Sequence, residues 1–424
     1  MTCAECIAYI ESAAFGDAAA RLYGADAVPA QRERWTGAVR EFVRLYGDHP
    51  DIALFSTPGR TEIGGNHTDH NNGCVLAAAV NLDTIAVAAP NERGVVTLKS
   101  EGFPVDSLSL DLLRPFPKEN HSSAALIRGV AARMDELGMN IGGFDAYTTT
   151  NVLKGSGLSS SVAFEVLIAT IYDHFYNDGT LEPLAAAQIA QYAENVFFGK
   201  PCGLMDQTAC AYGGFVAIDF ADTAHPVAEK VDFDFSKAGY ALVITDTHGD
   251  HANLTPEYAS IREEMQSVAA QFGKSVLREC TREEVLANAG KLRGEVGDRA
   301  VLRALHFFDD NDRVSAQKAA LGRGDMDAFL TLVNRSGDSS WELLQNCFVA
   351  GSREQGVTLG LAVGRTVLGG SGACRVHGGG FAGTIQAFVP LEKVSAYCDA
   401  MDALFGKDSA KVLSIRGEGT IRLA

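Results

Sequence analysis

The sequence has no run of about 20 apolar residues, so we expect no membrane-spanning helix. Its first residues lack the basic start and apolar stretch of a secretory signal. The nine cysteines are odd in number, and their spacing matches no disulfide framework. This predicts reduced thiols in a cytoplasmic protein. Cys3 and Cys6 form a lone CxxC, and a four-ligand zinc site would need more ligands.

Positive charge is also scarce. The chain has 36 Lys and Arg residues and 53 Asp and Glu residues, which gives a formal net charge of -17. An acidic surface repels nucleic-acid phosphates and anionic lipid, so we expect neither a nucleic-acid partner nor a membrane partner. An anionic ligand such as ATP would need a local positive field and a divalent cation.

The chain has 424 residues, of which 46% are hydrophobic. A chain of this length is longer than one hydrophobic core ordinarily accommodates. We therefore expect a globular protein of two domains. A short polar stretch at residues 221–226 marks the expected boundary, giving domains 1–221 and 222–424.

Periodicity predicts both helices and strands along the chain. Helices are predicted over residues 31–46, 123–137, 162–175, 185–198 and 391–404, and over most of 256–345. Strands are predicted over residues 75–89, 144–152, 215–220, 240–245, 384–389 and 412–423. The mixture is typical of an α+β protein.

A glycine- and serine-rich turn lies between a predicted strand and a predicted helix. It consists of Gly155, Ser156, Gly157, Leu158, Ser159, Ser160 and Ser161. Glycines let backbone N–H groups turn towards an anion, and the following helix N-terminus adds partial positive charge. The turn matches neither a Walker A loop nor a dinucleotide fingerprint. A serine-rich cap on a core helix is the alternative interpretation.

A second segment, residues 58–73, concentrates hydrogen-bonding side chains in what we predict to be a surface loop. Asn66, His67 and Asp69 offer the several donors and acceptors that vicinal hydroxyls need. A network of Asx turns that holds the loop is the alternative.

A third segment, residues 369–383, is so rich in glycine that we expect its backbone to approach a ligand or another loop closely. A structural turn is the alternative there. Between these segments lie Glu194, on a predicted helix, and Asp206, on the turn beyond it. Two such acids suit phosphoryl transfer, one holding Mg²⁺ and the other accepting a hydroxyl proton.

In their order and separation, the three glycine-rich segments resemble the signature motifs of GHMP kinases, over about residues 55–388. Residues 59–71 resemble the galactokinase signature, Gly-Arg-Val-Asn-Leu-Ile-Gly-Glu-His-Thr-Asp-Tyr-Asn. The resemblance implies a two-domain α+β GHMP kinase fold. Its N-terminal domain would be ribosomal-protein-S5-like, its C-terminal domain ferredoxin-like, and its active site would lie between them.

The resemblance also implies a reaction, the ATP-dependent phosphorylation of the C1 hydroxyl of galactose to galactose 1-phosphate. Asp206 would be the base, and Arg60 would stabilise the transferred phosphoryl group and keep the base ionised. Residues 155–161 would bind the ATP phosphates, and Ser161 and Glu194 would bind Mg²⁺. The implied sugar-binding residues are Asn66, His67, Thr68, Asp69 and Tyr258.

The chain departs from the signature at several positions. Asn66 replaces the glutamate of the signature, His70 replaces tyrosine, Gly64 replaces isoleucine, and Thr61-Glu62 replace Val-Asn. Lys154 stands directly before the phosphate turn, where the family often has a neutral residue. A related galacto-configured sugar therefore stays open as the substrate.

Three other classes stay open as well. His67, His70, His248 and His251 form two HxxH patterns that would suit a two-metal hydrolase. A sugar sensor on the same fold would bind without turnover, although a full set of catalytic residues argues against it. Another GHMP kinase, acting on mevalonate or homoserine, would use the same phosphate turn.

Overall fold

The structure is a computed structural model, and it describes residues 1–152, 157–249 and 254–424. The helices are α1 (Cys3–Glu11), α2 (Ala13–Tyr23), α3 (Val28–Tyr46), α4 (Ser123–Glu136), α5 (Ser160–Tyr176), α6 (Pro183–Tyr192), α7 (Met205–Tyr212), α8 (Thr255–Ala270), α9 (Arg282–Ala287), α10 (Ala289–Glu295), α11 (Asp298–Gly322), α12 (Met326–Ser339), α13 (Gly356–Leu368) and α14 (Val394–Phe405). The strands are β1 (Ala53–Gly64), β2 (Cys74–Asn91), β3 (Val95–Ser100), β4 (Val105–Ser109), β5 (Gly143–Thr150), β6 (Phe215–Asp219), β7 (Val227–Val231), β8 (Tyr240–Asp246), β9 (Ala373–Val376), β10 (Thr384–Pro390), β11 (Ala410–Leu413) and β12 (Ile421–Arg422). Two π-helical segments, Ala193–Phe198 and Ser340–Leu344, continue α6 and α12.

The described strands form two sheets. The first has the order β12-β1-β2-β5-β3-β4, with β6 paired to β2 and β7 paired to β6. One edge of the long strand β2 pairs with β1. Its other edge pairs with two strands, with β6 along its first part and with β5 along its second part. The second sheet has the order β11-β8-β10-β9, and all of its pairs are antiparallel.

Strand β1 is buried along its whole length, so the prediction of a surface loop from residue 58 onwards is wrong. Leu54 and Val87 pack in one core with the N-terminal helices, while Phe55 and Ala86 pack in another core with α4 and α5. A strand covered on both faces shows no alternation of polar and apolar residues. Only residues 65–73, between β1 and β2, form the loop.

The two sheets share a core. Leu76 and Phe215 of the first sheet pack in one cluster with Leu242 and Phe388 of the second. Phe329 of α12 contacts Phe215 at 6.0 Å and Phe388 at 5.3 Å between ring centroids. This ring therefore ties the sheets together behind the loop between β1 and β2.

The first sheet continues beyond the predicted boundary at residue 222. β7 pairs with β6, and β12 pairs with β1. Ile415 also forms an isolated bridge with Val80. The chain after residue 222 thus pairs with the first sheet at three places, and the division into residues 1–221 and 222–424 stays a prediction.

A buried carboxylate joins distant parts of the chain. Asp83 on β2 is fully buried and lies 2.6 Å from Arg34 of α3 and 3.4 Å from Arg416 near the C-terminal strand. Ser56 and Tyr23 also donate hydrogen bonds to it. Burial alone would raise the pKa of Asp83, but the two guanidinium groups and these hydrogen bonds outweigh burial and lower it.

Among the described helices, none combines the length and the apolar character that crossing a bilayer requires.

Candidate active site

The site is built around the end of β1, which carries Arg60 towards the start of α7. Arg60 donates through Nη2 to Asp206 Oδ2 and through Nη1 to the carbonyl oxygen of Gly157. Ser159 donates a hydrogen bond of 2.7 Å to the same Asp206 oxygen. The structure thus brings together residues that the sequence predicted as the base, the arginine and part of the phosphate turn.

This contact sets the charge of Asp206. Burial alone would raise the pKa of the carboxyl group, but the adjacent Arg60 and the hydrogen bonds from Arg60 and Ser159 lower it further than burial raises it. The net effect is a pKa below the ordinary value of 3.8. Asp206 is therefore an ionised acceptor at neutral pH.

Strand β1 also approaches the phosphate turn closely. The described part of that turn is Gly157, Leu158, Ser159, Ser160 and Ser161, while Lys154, Gly155 and Ser156 lie outside the described residues. Arg60 N donates to Leu158 O at 3.1 Å. A Cβ atom on Gly59 would lie 2.9 Å from Leu158 O and 3.1 Å from Val152, so this approach requires glycine.

Ser159 ends the turn in a left-handed conformation with φ of 58°. It precedes α5 at the N-cap position, yet its side chain makes no capping hydrogen bond. Its hydroxyl group goes to Asp206 instead. The alternative interpretation of a serine-rich cap therefore does not describe Ser159.

Glu194 lies in the π-helical segment after α6 and is 1% exposed. Lys200 approaches one of its oxygens at 3.3 Å, and Gln207 donates to the other at 3.1 Å. Gln207 directly follows Asp206 in the first turn of α7. The two predicted acids are therefore joined through Gln207, the neighbour of Asp206 in the chain.

Sequence analysis missed one acid in this region. Glu165 is fully buried on α5, four positions after Ser161, and neither of its carboxylate oxygens has a hydrogen-bond partner among the described residues. Burial, and then the charge of Glu194, raise its pKa well above the ordinary range. A lone glutamate in the apolar run of α5 was a signal available in the sequence.

A cavity of about 180 Å³ adjoins this cluster, lined by Arg60, Glu62, His67, Asp69, Met205 and other residues of the same loops. His67 Nε2 lies 2.9 Å from the carbonyl oxygen of Gly379. Burial and the neighbouring His70 lower the pKa of His67 to about 4, so the ring is neutral at neutral pH. Since a carbonyl only accepts, Nε2 carries the proton and Nδ1 is an acceptor.

Not all of the predicted sugar-binding side chains face this cavity. Asn66 is fully buried, and its amide contacts Glu62, Gly378 O and Asn346. Thr68 is also fully buried, and its hydroxyl group lies 2.6 Å from the backbone oxygen of Cys74. These two side chains hold the loop, as the interpretation of a loop-holding network proposed.

Tyr258 packs against the third glycine-rich segment. Its hydroxyl group donates to Gly380 O at 3.1 Å, and its ring lies 5.5 Å from that of Phe381. A Cβ atom on Gly379 would lie 2.5 Å from this ring. The predicted close approach of this backbone to another part of the chain is confirmed, and a sugar contact for Tyr258 stays a prediction.

The hydrolase alternative finds no support in the described ranges. Among them, no three His, Cys, Asp or Glu side chains are grouped so that they could hold a metal ion. His67 is bound to Gly379 O, whereas His248 lies 3.2 Å from Ser409, directly before β11 of the second sheet. His251 of the second HxxH pattern lies outside the described residues.

The chain is similar in sequence to known proteins. A sequence model of the galactokinase galactose-binding signature matches residues 40–90, and one of the GHMP kinases N terminal domain matches residues 125–214. The galactokinase of Streptomyces coelicolor is 31% identical over 382 residues, which cover 89% of this chain and 95% of that protein. The chain belongs to the galactokinase family. Membership confirms the predicted family and the predicted enzyme class, an ATP-dependent sugar kinase.

Solved structures confirm the predicted fold. The Lactococcus lactis galactokinase complexed with galactose superposes with a TM-score of 0.75 at 26% identity, covering 90% of this chain and 98% of that one. The Methanococcus jannaschii mevalonate kinase has a TM-score of 0.60 at 13% identity, covering 87% and 99%. The second likeness shows the GHMP kinase fold alone.

Proposed function

We propose that this member of the family transfers the γ-phosphoryl group of ATP to the C1 hydroxyl of galactose, giving galactose 1-phosphate and ADP. The observation that carries the proposal is the contact of Arg60 and Ser159 with one oxygen of Asp206, beside a cavity that Arg60 lines. The galactokinase names of the relatives support galactose as the sugar.

The two oxygens of Asp206 have different roles in this proposal. Oδ2 already accepts hydrogen bonds from Arg60 and Ser159, whereas Oδ1 accepts none from a described residue. The C1 oxygen forms a bond to the γ-phosphorus as the bond from phosphorus to the ADP oxygen breaks. The hydroxyl proton goes to Oδ1, late in the step, because a sugar hydroxyl is a weak acid.

Arg60 has two tasks. It keeps Asp206 ionised, and its positive charge lies where the transferred group passes between the phosphate turn and the base. Gly157 accepts from Arg60 through its carbonyl oxygen, so the guanidinium group is fixed against the turn before ATP binds. Placement of this kind is the main contribution that a phosphoryl-transfer enzyme makes.

We further propose that Ser161 and Glu194 hold Mg²⁺, which when bound neutralises negative charge on the ATP phosphates. Hydroxyl and carboxylate oxygens are the ligands that Mg²⁺ prefers. Buried Glu194 already attracts one positive charge, the ammonium group of Lys200 at 3.3 Å. Mn²⁺ serves as the probe: Glu194→Gln should weaken Mn²⁺ binding measured by electron paramagnetic resonance with a non-hydrolysable ATP analogue.

Asp69 and His67 are the proposed sugar contacts in the loop. Both line the cavity, and neither side chain is as fully enclosed as those of Asn66 and Thr68. His67 Nδ1 and the Asp69 carboxylate offer acceptors for hydroxyl groups. We also propose a cytoplasmic location, where ATP is available and the nine cysteines, all free thiols, stay reduced.

A substrate panel tests the proposal. Purified protein is given ATP and Mg²⁺ with galactose, N-acetylgalactosamine, arabinose, galacturonate or mevalonate, and ³¹P NMR locates the phosphate in the product. Galactose should have the highest kcat/KM and should carry the phosphate at C1. Turnover of mevalonate instead, or binding of galactose and ATP without turnover, would refute the proposal.

A further inference from the structure

Two departures from the galactokinase signature form a single exchange. The signature has asparagine at the position of Glu62 and glutamate at the position of Asn66, whereas this chain has the same two residue types in the opposite order. In the structure Asn66 Nδ2 donates to Glu62 Oε1 at 2.9 Å. The chain thus keeps a carboxylate and an amide four positions apart but moves the carboxylate from the loop to strand β1.

Glu62, and not Asn66, reaches the cavity. Glu62 lines it together with Arg60, His67 and Asp69. Asn66 is fully buried, and its amide oxygen accepts from Asn346 Nδ2 at 2.7 Å while its nitrogen donates to Glu62 and to the backbone. The amide therefore has no group left for a ligand.

The carboxylate of Glu62 is fixed through one oxygen only. Oε1 accepts from Asn66 and, at 2.8 Å, from Nη2 of the fully buried Arg375. Oε2 accepts no hydrogen bond from a described residue. Burial raises the pKa of Glu62, and Arg375 opposes this effect. A carboxylate oxygen that carries no hydrogen bond can accept one, so Oε2 suits a hydroxyl donor in the cavity.

The position of Glu62 along β1 indicates which hydroxyl it meets. Arg60 and Glu62 pair with Ala79 and Ala77 of β2 without a register shift between them, so their side chains share one face of the strand. Two residues along a strand span about 7 Å. Since Arg60 and Asp206 mark the reacting end, Glu62 lies beside the half of the sugar ring remote from C1.

We infer that Glu62 is a specificity-determining residue, whose Oε2 accepts a hydrogen bond from the C3, C4 or C6 hydroxyl of the sugar. The inference rests on the proposed function. Asn66, one of the residues that the family resemblance assigned to the sugar, holds the other oxygen of Glu62 and does not contact the substrate.

Steady-state kinetics with galactose and its 2-, 3-, 4- and 6-deoxy analogues test this inference in wild type and Glu62→Gln. With galactose, Glu62→Gln should raise the sugar KM at least about tenfold and leave the ATP KM within about threefold. The increase in KM caused by Glu62→Gln should disappear for the 3-, 4- or 6-deoxy analogue that lacks the contacted hydroxyl. It should persist for 2-deoxygalactose. Glu354→Gln, an exposed glutamate, is the matched control and should behave as wild type.

Either of two results would overturn the inference: an unchanged galactose KM, or an equal loss on all four analogues. If Glu62→Gln does not fold, Glu62→Asp is tested instead. It keeps the charge opposite Arg375, but its shorter side chain moves the free carboxylate oxygen away from the cavity. The KM of Glu62→Asp should depend on the deoxy analogue in the same way. A wild-type enzyme that phosphorylates no sugar would refute the proposed function itself. A wild type that phosphorylates galactose while Glu62→Gln is unaffected would refute only the role of Glu62.

Discussion

Arg60 and Asp206, which lie 146 positions apart in the sequence, form a direct ion pair. The pair joins strand β1 to helix α7 across the described end of the phosphate turn. Because Ser159 binds the same Asp206 oxygen, the base is connected to the turn as well as to the strand. One contact therefore orients the phosphate-binding and proton-accepting parts of the site together.

Asp206→Asn should lower kcat by about 10²-fold or more, because the amide cannot accept the hydroxyl proton. The Kd for galactose, measured by isothermal titration calorimetry, should change little. Asp232→Asn, at an exposed position, is the control and should keep the wild-type kcat. Near-normal turnover by Asp206→Asn would remove this residue from the mechanism.

Arg60→Met should change the pH dependence of kcat. In wild type the pKa of Asp206 is below 3.8, so the base is ionised above that pH and its protonation lowers kcat only in stronger acid. Without Arg60, burial remains as the main influence and raises the pKa. Protonation should then lower kcat at a higher pH than in wild type.

Arg60→Lys is the matched control for this profile, because it keeps a positive charge beside the carboxylate. Its kcat should fall in acid over the same pH range as that of wild type, despite a lower absolute rate. Profiles of the same shape in Arg60→Met and wild type would show that Arg60 does not control the ionisation of the base.

Asp69→Ala should raise the sugar KM far more than the ATP KM, because its carboxylate lines the cavity beside Glu62 and His67. We expect an increase of at least about tenfold for the sugar, the range for an unpaired hydroxyl contact. Asp51→Ala, at an exposed position before β1, is the control. Equal effects on both KM values would argue against a contact of Asp69 with the sugar.

Gly59→Ala should destabilise the protein and raise the ATP KM. The added Cβ atom would lie 2.9 Å from Leu158 O, so the strand or the phosphate turn has to move. We expect a loss of about 1–3 kcal/mol in the free energy of unfolding, measured by urea denaturation. Gly37→Ala in α3 meets no atom within 4 Å and should be neutral or stabilising. Equal stability of the two variants would contradict the close approach.

Asn66→Asp should destabilise more than Asn66→Ala, although aspartate is closer in shape to asparagine. It replaces the amide that donates to Glu62 and Gly378 O by a buried carboxylate next to another carboxylate. An unpaired buried charge costs about 3–5 kcal/mol, against about 1–3 kcal/mol for a lost hydrogen-bond partner. Thermal melts of both variants at neutral pH give the comparison, and a more stable Asn66→Asp would contradict this interpretation.

Much of the fold could be predicted from periodicity. Helices α4 and α5 and strands β2, β5 and β10 lie close to their predicted ranges, because the helices carry apolar residues at helical spacing and the strands are rich in apolar and β-branched residues. The part of β1 from residue 58 onwards could not be predicted, because burial on both faces removes the alternation that marks a strand and its residues do not form the apolar run that marks a buried strand. Its glycine, proline and polar residues resemble a loop until its long-range partners are known.

The site was predicted less completely than the fold. The phosphate turn and Asp206 were candidates from the residue pattern alone, and the family resemblance added Arg60 and the role of each. The structure brings their described parts together. The position of Asn66 could not be predicted, since its partner Asn346 lies 280 positions away. Glu62 was noted only as a departure, and its role depends on the pairing with Asn66 that the structure reveals.

The buried carboxylate of Asp83 has a consequence for how the protein denatures. Arg34 from the N-terminal helices and Arg416 from near the last strand neutralise the same charge. If the N-terminal helices or the C-terminal strand detached alone, Asp83 would lose one of its two arginine partners. Its buried charge would then be incompletely compensated, at a high cost in free energy. Fraying of one end by itself is therefore suppressed, and the helical layer and the returning strand should melt in a single cooperative transition.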